Sequence, residues 1–158
     1  MKNYSVQQYQ QSECANWNAF IGQAKNATFL FHRDFMEYHK DQFEDFSLMI
    51  FDNKKLVAVL PANKVGNIVY SHQGLTYGGL VYSPKLNGEK VAAILDSLLS
   101  FFKKKEVQSF YFKPIPSFYS SKGNAETDFF MIKKGAFLER KEMNLAINLA
   151  MPLTISKS

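Results

Sequence analysis

The chain has 158 residues, of which 46% are hydrophobic and 15% aromatic, and its formal net charge is +5 at pH 7. This length and apolar fraction predict one domain, residues 1–158, that buries its own core, and they exclude a disordered chain. Cys14 is the single cysteine, which excludes an internal disulfide or a zinc site of several thiolates and favours a reducing compartment.

The first nine residues are polar and lack the apolar run of a signal peptide. No segment approaches the roughly 20 apolar residues needed to cross a bilayer. We therefore expect a cytoplasmic protein without a membrane span. The basic excess is mild and fits either a solvated surface or an anionic partner, but the lysines form no arginine-rich stripe and no nucleic-acid motif accompanies them. We expect no DNA partner.

The N-terminal part of the chain is predicted to be helical and then to enter a sheet. Apolar residues recur at helical spacing in two stretches, which predicts helices over residues 13–25 and 32–43. His39 falls on the apolar face of the second helix, where it is either a satisfied imidazole or a functional group. Apolar runs at 46–51 and 56–60 flank a turn-forming stretch and predict an antiparallel hairpin.

The rest of the chain alternates strands and helices. The remaining predicted elements are strands over 68–70 and 80–82, a helix from the cap Asn87 through Lys105, a strand over 109–113, a helix over 125–134 and a strand over 143–149. Two helices, antiparallel strands, a long helix, a strand, a helix and a closing strand together predict a layered α+β domain.

Residues 71–80, Ser-His-Gln-Gly-Leu-Thr-Tyr-Gly-Gly-Leu, concentrate three glycines and several hydrogen-bonding side chains between two predicted strands. Glycine is retained where the chain needs a positive φ or where another backbone or a ligand approaches closely. The segment is therefore either a binding site or a tight turn or bulge in which His72 and Tyr77 satisfy local hydrogen bonds.

The order of elements resembles the GNAT superfamily of acyl-CoA N-acyltransferases. Four stretches are similar to the N-terminal module of Fem-type (FemAB-like) GNAT proteins: Phe31-His-Arg-Asp-Phe-Met-Glu-Tyr-His39, Leu60-Pro-Ala-Asn63, residues 71–79, and Ile115-Pro-Ser-Phe-Tyr119. The resemblance covers nearly the whole chain. It implies a central mixed, mostly antiparallel sheet flanked by helices, which splays open after its fourth strand and holds the pantetheine of the cofactor in the gap.

The resemblance also implies a function. It suggests transfer of an acyl or aminoacyl group to an amine of a sugar or cell-wall precursor, with acyl-CoA such as acetyl-CoA as co-substrate and no metal. Because Fem-type proteins often carry two modules in tandem, a second GNAT module or a homodimer is an expected partner. The alternative is a non-catalytic module that holds an acceptor or a partner domain. A third hypothesis, an aminoacyl-tRNA donor, rests only on the sign of the net charge.

Candidate site residues follow from this chemistry. His72 is the candidate base, because its neutral imidazole is available near pH 7. Tyr77 and Tyr111 are candidate acids for the leaving thiolate, or packing residues with an outward hydroxyl. The loop before the long helix is the expected phosphate site or else a simple helix cap, and its candidates are Lys85, Asn87, Gly88 and Lys90. The acceptor candidates are Gln73, Gly74, Thr76, Gly78, Gly79, Arg33 and His39.

Overall fold

The computed structural model describes residues 4–120 and 125–141. Its strands are β1 (Ser5–Gln8), β2 (Glu44–Asp45), β3 (Leu48–Asp52), β4 (Lys55–Leu60), β5 (Asn63–Val65), β6 (Ile68–Tyr70), β7 (Val81–Tyr82) and β8 (Ser109–Tyr111). Its α-helices are α1 (Cys14–Ile21), α2 (Arg33–Met36), α3 (Gly88–Lys104) and α4 (Ala125–Lys133). Short 3-10 turns lie at Gln11–Glu13, Phe29–Phe31, Glu37–His39 and Ser117–Tyr119. Within the described ranges, no helix combines the length and apolarity needed to cross a membrane.

The strands form two four-stranded sheets, in the orders β1-β3-β4-β7 and β2-β5-β6-β8. A bent hairpin joins them, because the chain passes from β2 into β3 and from β4 into β5. Hydrogen bonds continue across the bend: the Phe46 N–H donates to the Ala62 carbonyl at 2.9 Å, and the Ala62 N–H donates to Ser47 Oγ at 3.2 Å. All pairings between named strands are antiparallel except that of β6 with β8.

Helices cover both faces of the hairpin, because successive strand residues point to opposite sides. One face packs against α3 and includes Leu48, Ile50, Ala58, Leu60, Ile94, Leu95 and Leu98. The other packs against α1 and α2 and includes Met49, Val59, Val81, Trp17, Phe20, Phe31 and Met36. The result is a layered α+β domain with the sheet between two helical layers.

The predicted helices differ from the observed ones mainly in the N-terminal part. The first helix ends at Ile21, before the predicted residue 25, because Gly22 follows as its C-cap and glycine extends helices poorly. The second was predicted over 32–43, but α2 ends at Met36 and only a 3-10 turn follows. Residues 44–45 pair with β5, so the chain must leave the helix axis before that point.

The other predicted elements are confirmed to within a few residues. The turn between β3 and β4 places Asn53 at a φ of 55°, a left-handed conformation that asparagine tolerates. Helix α3 begins after Asn87, whose side-chain oxygen accepts from the Lys90 N–H at 3.2 Å. Strands β1, β2 and β5 were not predicted. The predicted strand over 143–149 lies outside the described residues.

Candidate functional site

The second sheet divides beside the glycine-rich segment. Strands β6 and β8 run parallel, and their pairing extends past Tyr70 through two more hydrogen bonds. The Ser71 N–H donates to the Tyr111 carbonyl at 2.9 Å, and the Gly78 N–H donates to the Lys113 carbonyl at 2.8 Å. Residues 72–77 therefore loop out of a strand whose two ends, Ser71 and Gly78, both remain paired with the β8 chain.

Beyond that point the segment that follows Gly78 and the segment that follows β8 separate. Gly78 makes a parallel bridge with Pro114, after which the β8 chain turns into the 3-10 turn Ser117–Tyr119. The segment that follows Gly78 continues as β7, which pairs with β4 through Val81 and Val59. The edge of β7 that faces away from β4 is thus left without a strand partner from the β8 chain.

The glycines at this division are required by backbone packing. A Cβ atom on Gly78 would lie 1.8 Å from the Ser71 carbonyl oxygen, which no side chain permits. Gly79 has a φ of 88°, and a Cβ there would lie 3.0 Å from the Phe112 ring. Both glycines therefore allow close approach of the protein to itself, as expected for the turn or bulge interpretation.

The unpaired edge of β7 is occupied by residues that follow α1. Asn26 Nδ2 donates to the Leu80 carbonyl at 2.8 Å, and the Tyr82 N–H donates to Asn26 Oδ1 at 3.1 Å. The Lys25 N–H donates to the Tyr82 carbonyl at 2.8 Å. Asn26 is only 3% exposed. We call Lys25 and Asn26 the strap, because together they satisfy the edge that the diverging sheet leaves open.

A charged cluster fastens the strap to α4. Lys25 Nζ contacts Glu126 Oε1 at 2.6 Å, and the Tyr82 hydroxyl donates to Glu126 Oε2 at 3.0 Å. Burial alone would raise the pKa of Glu126, but hydrogen bonds, first that from Lys25, outweigh it and hold this pKa below its usual value. Burial raises the pKa of Tyr82, and its bond to Glu126 adds to the effect. The cluster therefore holds a carboxylate and a protonated phenol at neutral pH.

The loop before α3 has the features of a helix cap. Pro84 has no N–H, and the Leu86 N–H donates to the Ser83 carbonyl at 3.1 Å. The Lys85 N–H donates to Ser83 Oγ at 3.3 Å, and Asn87 caps the helix. The side chains of Lys85 and Lys90 are exposed. A Cβ on Gly88 would lie 3.5 Å from the Phe130 ring of α4.

The three candidate catalytic residues have different neighbours. His72 is 6% exposed, adopts a φ of 68°, and lies with its ring centroid 5.6 Å from that of Phe43. The Tyr77 hydroxyl donates to Thr28 Oγ1 at 3.1 Å, and its ring lies 5.1 Å from Tyr119. Tyr77 thus contacts both the segment that follows the strap, through Thr28, and the 3-10 turn that ends at Tyr119.

Tyr111 stands apart from both on the described contacts. It is partly exposed and stacks on Tyr70 with ring centroids 5.1 Å apart and planes inclined by 12°. His72 instead borders a cavity of about 30 Å³, together with Arg33, Lys40 and Asp45. A cavity of this size has room for about one water molecule.

Arg33 was a candidate for acceptor binding, but its guanidinium is buried and engaged within the fold. Nη1 donates to Ser47 Oγ at 3.1 Å, and Nη2 forms an ion pair with Asp45. The guanidinium carbon lies 3.7 Å from the ring centroid of Tyr9. Burial raises the pKa of Tyr9 to about 12, although Arg33 acts in the opposite direction. Arg33 ties the α2 segment to the sheet.

The other acceptor candidates surround the looped-out segment. Gln73 exchanges two hydrogen bonds of 2.8 Å with Asn63. Gly74 lies against the Phe43 ring, Thr76 is exposed, and His39 ends a 3-10 turn. Sequence reasoning missed the strap altogether. A lysine and an asparagine after a helix are also typical of a solvated turn, so the sequence carries no signal that would have singled them out.

The helical layers and the divided sheet agree with the GNAT-like α+β fold expected from the sequence, and comparison with solved structures finds similar folds. The structure is similar to the ribosomal-protein-S18-alanine N-acetyltransferase from Escherichia coli, with a TM-score of 0.57 and 14% identity over 84% of this chain and 76% of that chain. It is also similar to an aminoglycoside antibiotic 6'-N-acetyltransferase from Acinetobacter baumannii, with a TM-score of 0.54 and 13% identity over 93% of this chain and 99% of that chain.

At these identities the similarity establishes the fold and confirms the expected GNAT-like α+β class. No protein-family model and no curated protein matches the sequence.

Proposed function

We propose that the chain is a GNAT-type N-acyltransferase module that transfers an acyl or aminoacyl group to an amine of a sugar or cell-wall precursor. The observation that carries this proposal is the division of the sheet after Gly78. In the proposal, the edge of β7 binds the amide-bearing arm of an acyl-CoA donor such as acetyl-CoA. The similarity to two N-acetyltransferases supports the donor, and the Fem-type resemblance supports the acceptor.

The proposed chemistry is the attack of a neutral amine on a thioester. A bond forms between the amine nitrogen and the carbonyl carbon, the carbon–sulfur bond breaks, and the amine loses a proton while the thiolate gains one. His72 is the proposed base. Because it is buried, its proton must pass through a water molecule or through movement of residues 72–77. Tyr77 is the proposed thiolate acid, since it lies between Thr28 and Tyr119 beside the division.

A second candidate is a non-catalytic module that holds an acceptor or a partner GNAT domain. The loop before α3 favours it. Phosphate sites at helix N-termini depend on free backbone N–H groups. Here Pro84 has none, and the N–H groups of Lys85 and Leu86 are bonded within the loop. On this hypothesis the fold persists while donor binding is lost.

Thermal unfolding with acetyl-CoA, a longer acyl-CoA and free CoA separates the two candidates. A transferase is expected to be stabilised saturably, by about 2.7 kcal/mol at a ligand concentration 100 times the dissociation constant. Replacing Lys85 and Lys90 with alanine should weaken the effect, whereas the matched pair Lys54→Ala and Lys55→Ala, at the β3–β4 turn, should not. An unchanged melting temperature with all three ligands, both for the unmodified chain and for a variant in which the strap residue Asn26 is replaced by alanine, would reject the transferase and favour the module.

A further inference from the structure

We propose that the strap is an autoinhibitory element that occupies the donor site of this chain and must be displaced before a donor binds. The proposal rests on the function proposed above and adds a regulated step to it. Its basis is the set of three hydrogen bonds between Lys25 or Asn26 and residues 80–82.

The chemistry of Asn26 matches that of the ligand it would replace. Its carboxamide offers one donor and one acceptor, which bind the Leu80 carbonyl and the Tyr82 N–H on the same strand edge. The pantetheine arm of acyl-CoA also consists of amides separated by short methylene spacers. A donor that bound this edge would make the same kind of hydrogen bonds, so Asn26 and the donor compete for the same two backbone groups.

Lys25 gives the strap a second point of exchange. Its ammonium group is paired with the carboxylate of Glu126, and the Lys25 side chain is only 11% exposed. Glu126 itself is partly exposed, at the first turn of α4. An acyl-CoA carries phosphates that compete with Glu126 for the same cation. We therefore expect the anionic part of the donor to release Lys25 from α4 while its amide replaces Asn26.

The surrounding contacts indicate where the strap would move. It lies between Gly22, which ends α1, and Thr28, whose hydroxyl accepts from Tyr77. The neighbouring Phe29 is largely exposed and stacks only edge-on with Phe35 among the described ring contacts. Displacing residues 25–26 would leave the helical layer of Trp17 and Phe20 in place, because these residues precede Gly22 in α1.

Calorimetric titration of acetyl-CoA into matched variants tests the strap. Asn26→Ala removes the competing amide, and Asn16→Ala is the control, because Asn16 is exposed and its side chain donates to Glu13 within the same N-terminal segment. If the strap is closed in about 90% of molecules or more, Asn26→Ala should bind acetyl-CoA about tenfold more tightly or better. Asn16→Ala should bind like the unmodified chain.

A second pair of variants covers the case in which Asn26→Ala fails to fold. Glu126→Gln loosens Lys25 without altering the buried amide, and it should also tighten acetyl-CoA binding. Its control, Asp96→Asn, removes the ion pair between Asp96 of α3 and Lys134, the residue that follows α4, and should leave affinity unchanged.

The outcomes distinguish the two proposals. If the unmodified chain binds acetyl-CoA and neither Asn26→Ala nor Glu126→Gln binds it more tightly, the proposal that the strap is autoinhibitory is refuted. The transferase proposal stands in that case. If no folded variant binds acetyl-CoA, the transferase and the strap both fail. Tighter binding by either strap variant, with both controls unchanged, supports the strap.

Discussion

Substitution of Gly78 by alanine gives the most direct test of the divided sheet. The added Cβ would lie 1.8 Å from the Ser71 carbonyl oxygen and 3.1 Å from Ser71 Oγ. To reach an ordinary contact of 3.4 Å, the two backbone segments must separate by about 1.6 Å. The obstacle is backbone rather than the end of a flexible side chain, so no rotamer change relieves it.

That separation would break the hydrogen bonds that join the ends of the looped-out segment to the β8 chain. The bond from the Gly78 N–H to Lys113 and the bond from the Lys113 N–H to Ser71 Oγ are both 2.8 Å long. Losing two hydrogen bonds costs about 2 kcal/mol, and overpacking adds about 1–3 kcal/mol. We expect Gly78→Ala to lower the free energy of unfolding by about 3–5 kcal/mol, a large part of a typical domain stability of about 5–15 kcal/mol.

Urea unfolding followed by circular dichroism measures this loss, and two glycines serve as controls. At Gly66 the φ is 57° and the space is open, so alanine should cost only about 1 kcal/mol. At Gly22 the conformation is right-handed helical and the nearest contact is 3.7 Å, so alanine should be neutral or mildly stabilising. A loss at Gly78 no greater than that at Gly66 would refute the close approach of Ser71 and Gly78.

The remaining predictions concern Glu126 and His72. The lowered pKa of Glu126 means that its stabilising effect is present above the ordinary carboxyl pKa and is lost as pH falls through the lowered value. The difference in unfolding free energy between the unmodified chain and Glu126→Gln should therefore be largest near neutral pH and shrink below about pH 4; a difference that grows on acidification would contradict the ion pair with Lys25. Asparagine tolerates a positive φ, so the free energy of unfolding of His72→Asn should lie within about 1 kcal/mol of that of the unmodified chain, while acyl transfer is abolished. An unchanged transfer rate would reject His72 as the base.

Elements defined by local patterns were the ones predicted well. Helix α3 combines a regular apolar face with an Asn87 cap, and the β3–β4 hairpin has a turn residue, Asn53, suited to left-handed φ. Both depend on neighbours within a few residues. The second predicted helix was wrong in length because the pairing of β2 with β5, more than 15 residues away along the chain, draws the backbone away from the helix axis.

The candidate site shows the same limit. The junction at residues 71–80 was predicted from its glycines, whose conformational role is local. The strap was not predicted, because the hydrogen-bond partners of Asn26 lie far away along the chain. Leu80 is 54 positions and Tyr82 is 56 positions from Asn26, and only the fold brings them into contact. Arg33, which lies in one of the stretches that resemble Fem-type proteins, stays a prediction as an acceptor residue, and its contacts with Asp45 and Ser47 could not be predicted because they join segments 12 and 14 residues apart.

The bent hairpin that joins the two sheets has a consequence for how the molecule unfolds. Because β2 and β3 form one continuous arm and β4 and β5 the other, the two sheets share both arms of this hairpin, and loss of one sheet removes the support of strands that continue into the other. Both core clusters also draw residues from these arms. The domain should therefore melt in a single cooperative transition, and fragments cut at the bend should not fold separately.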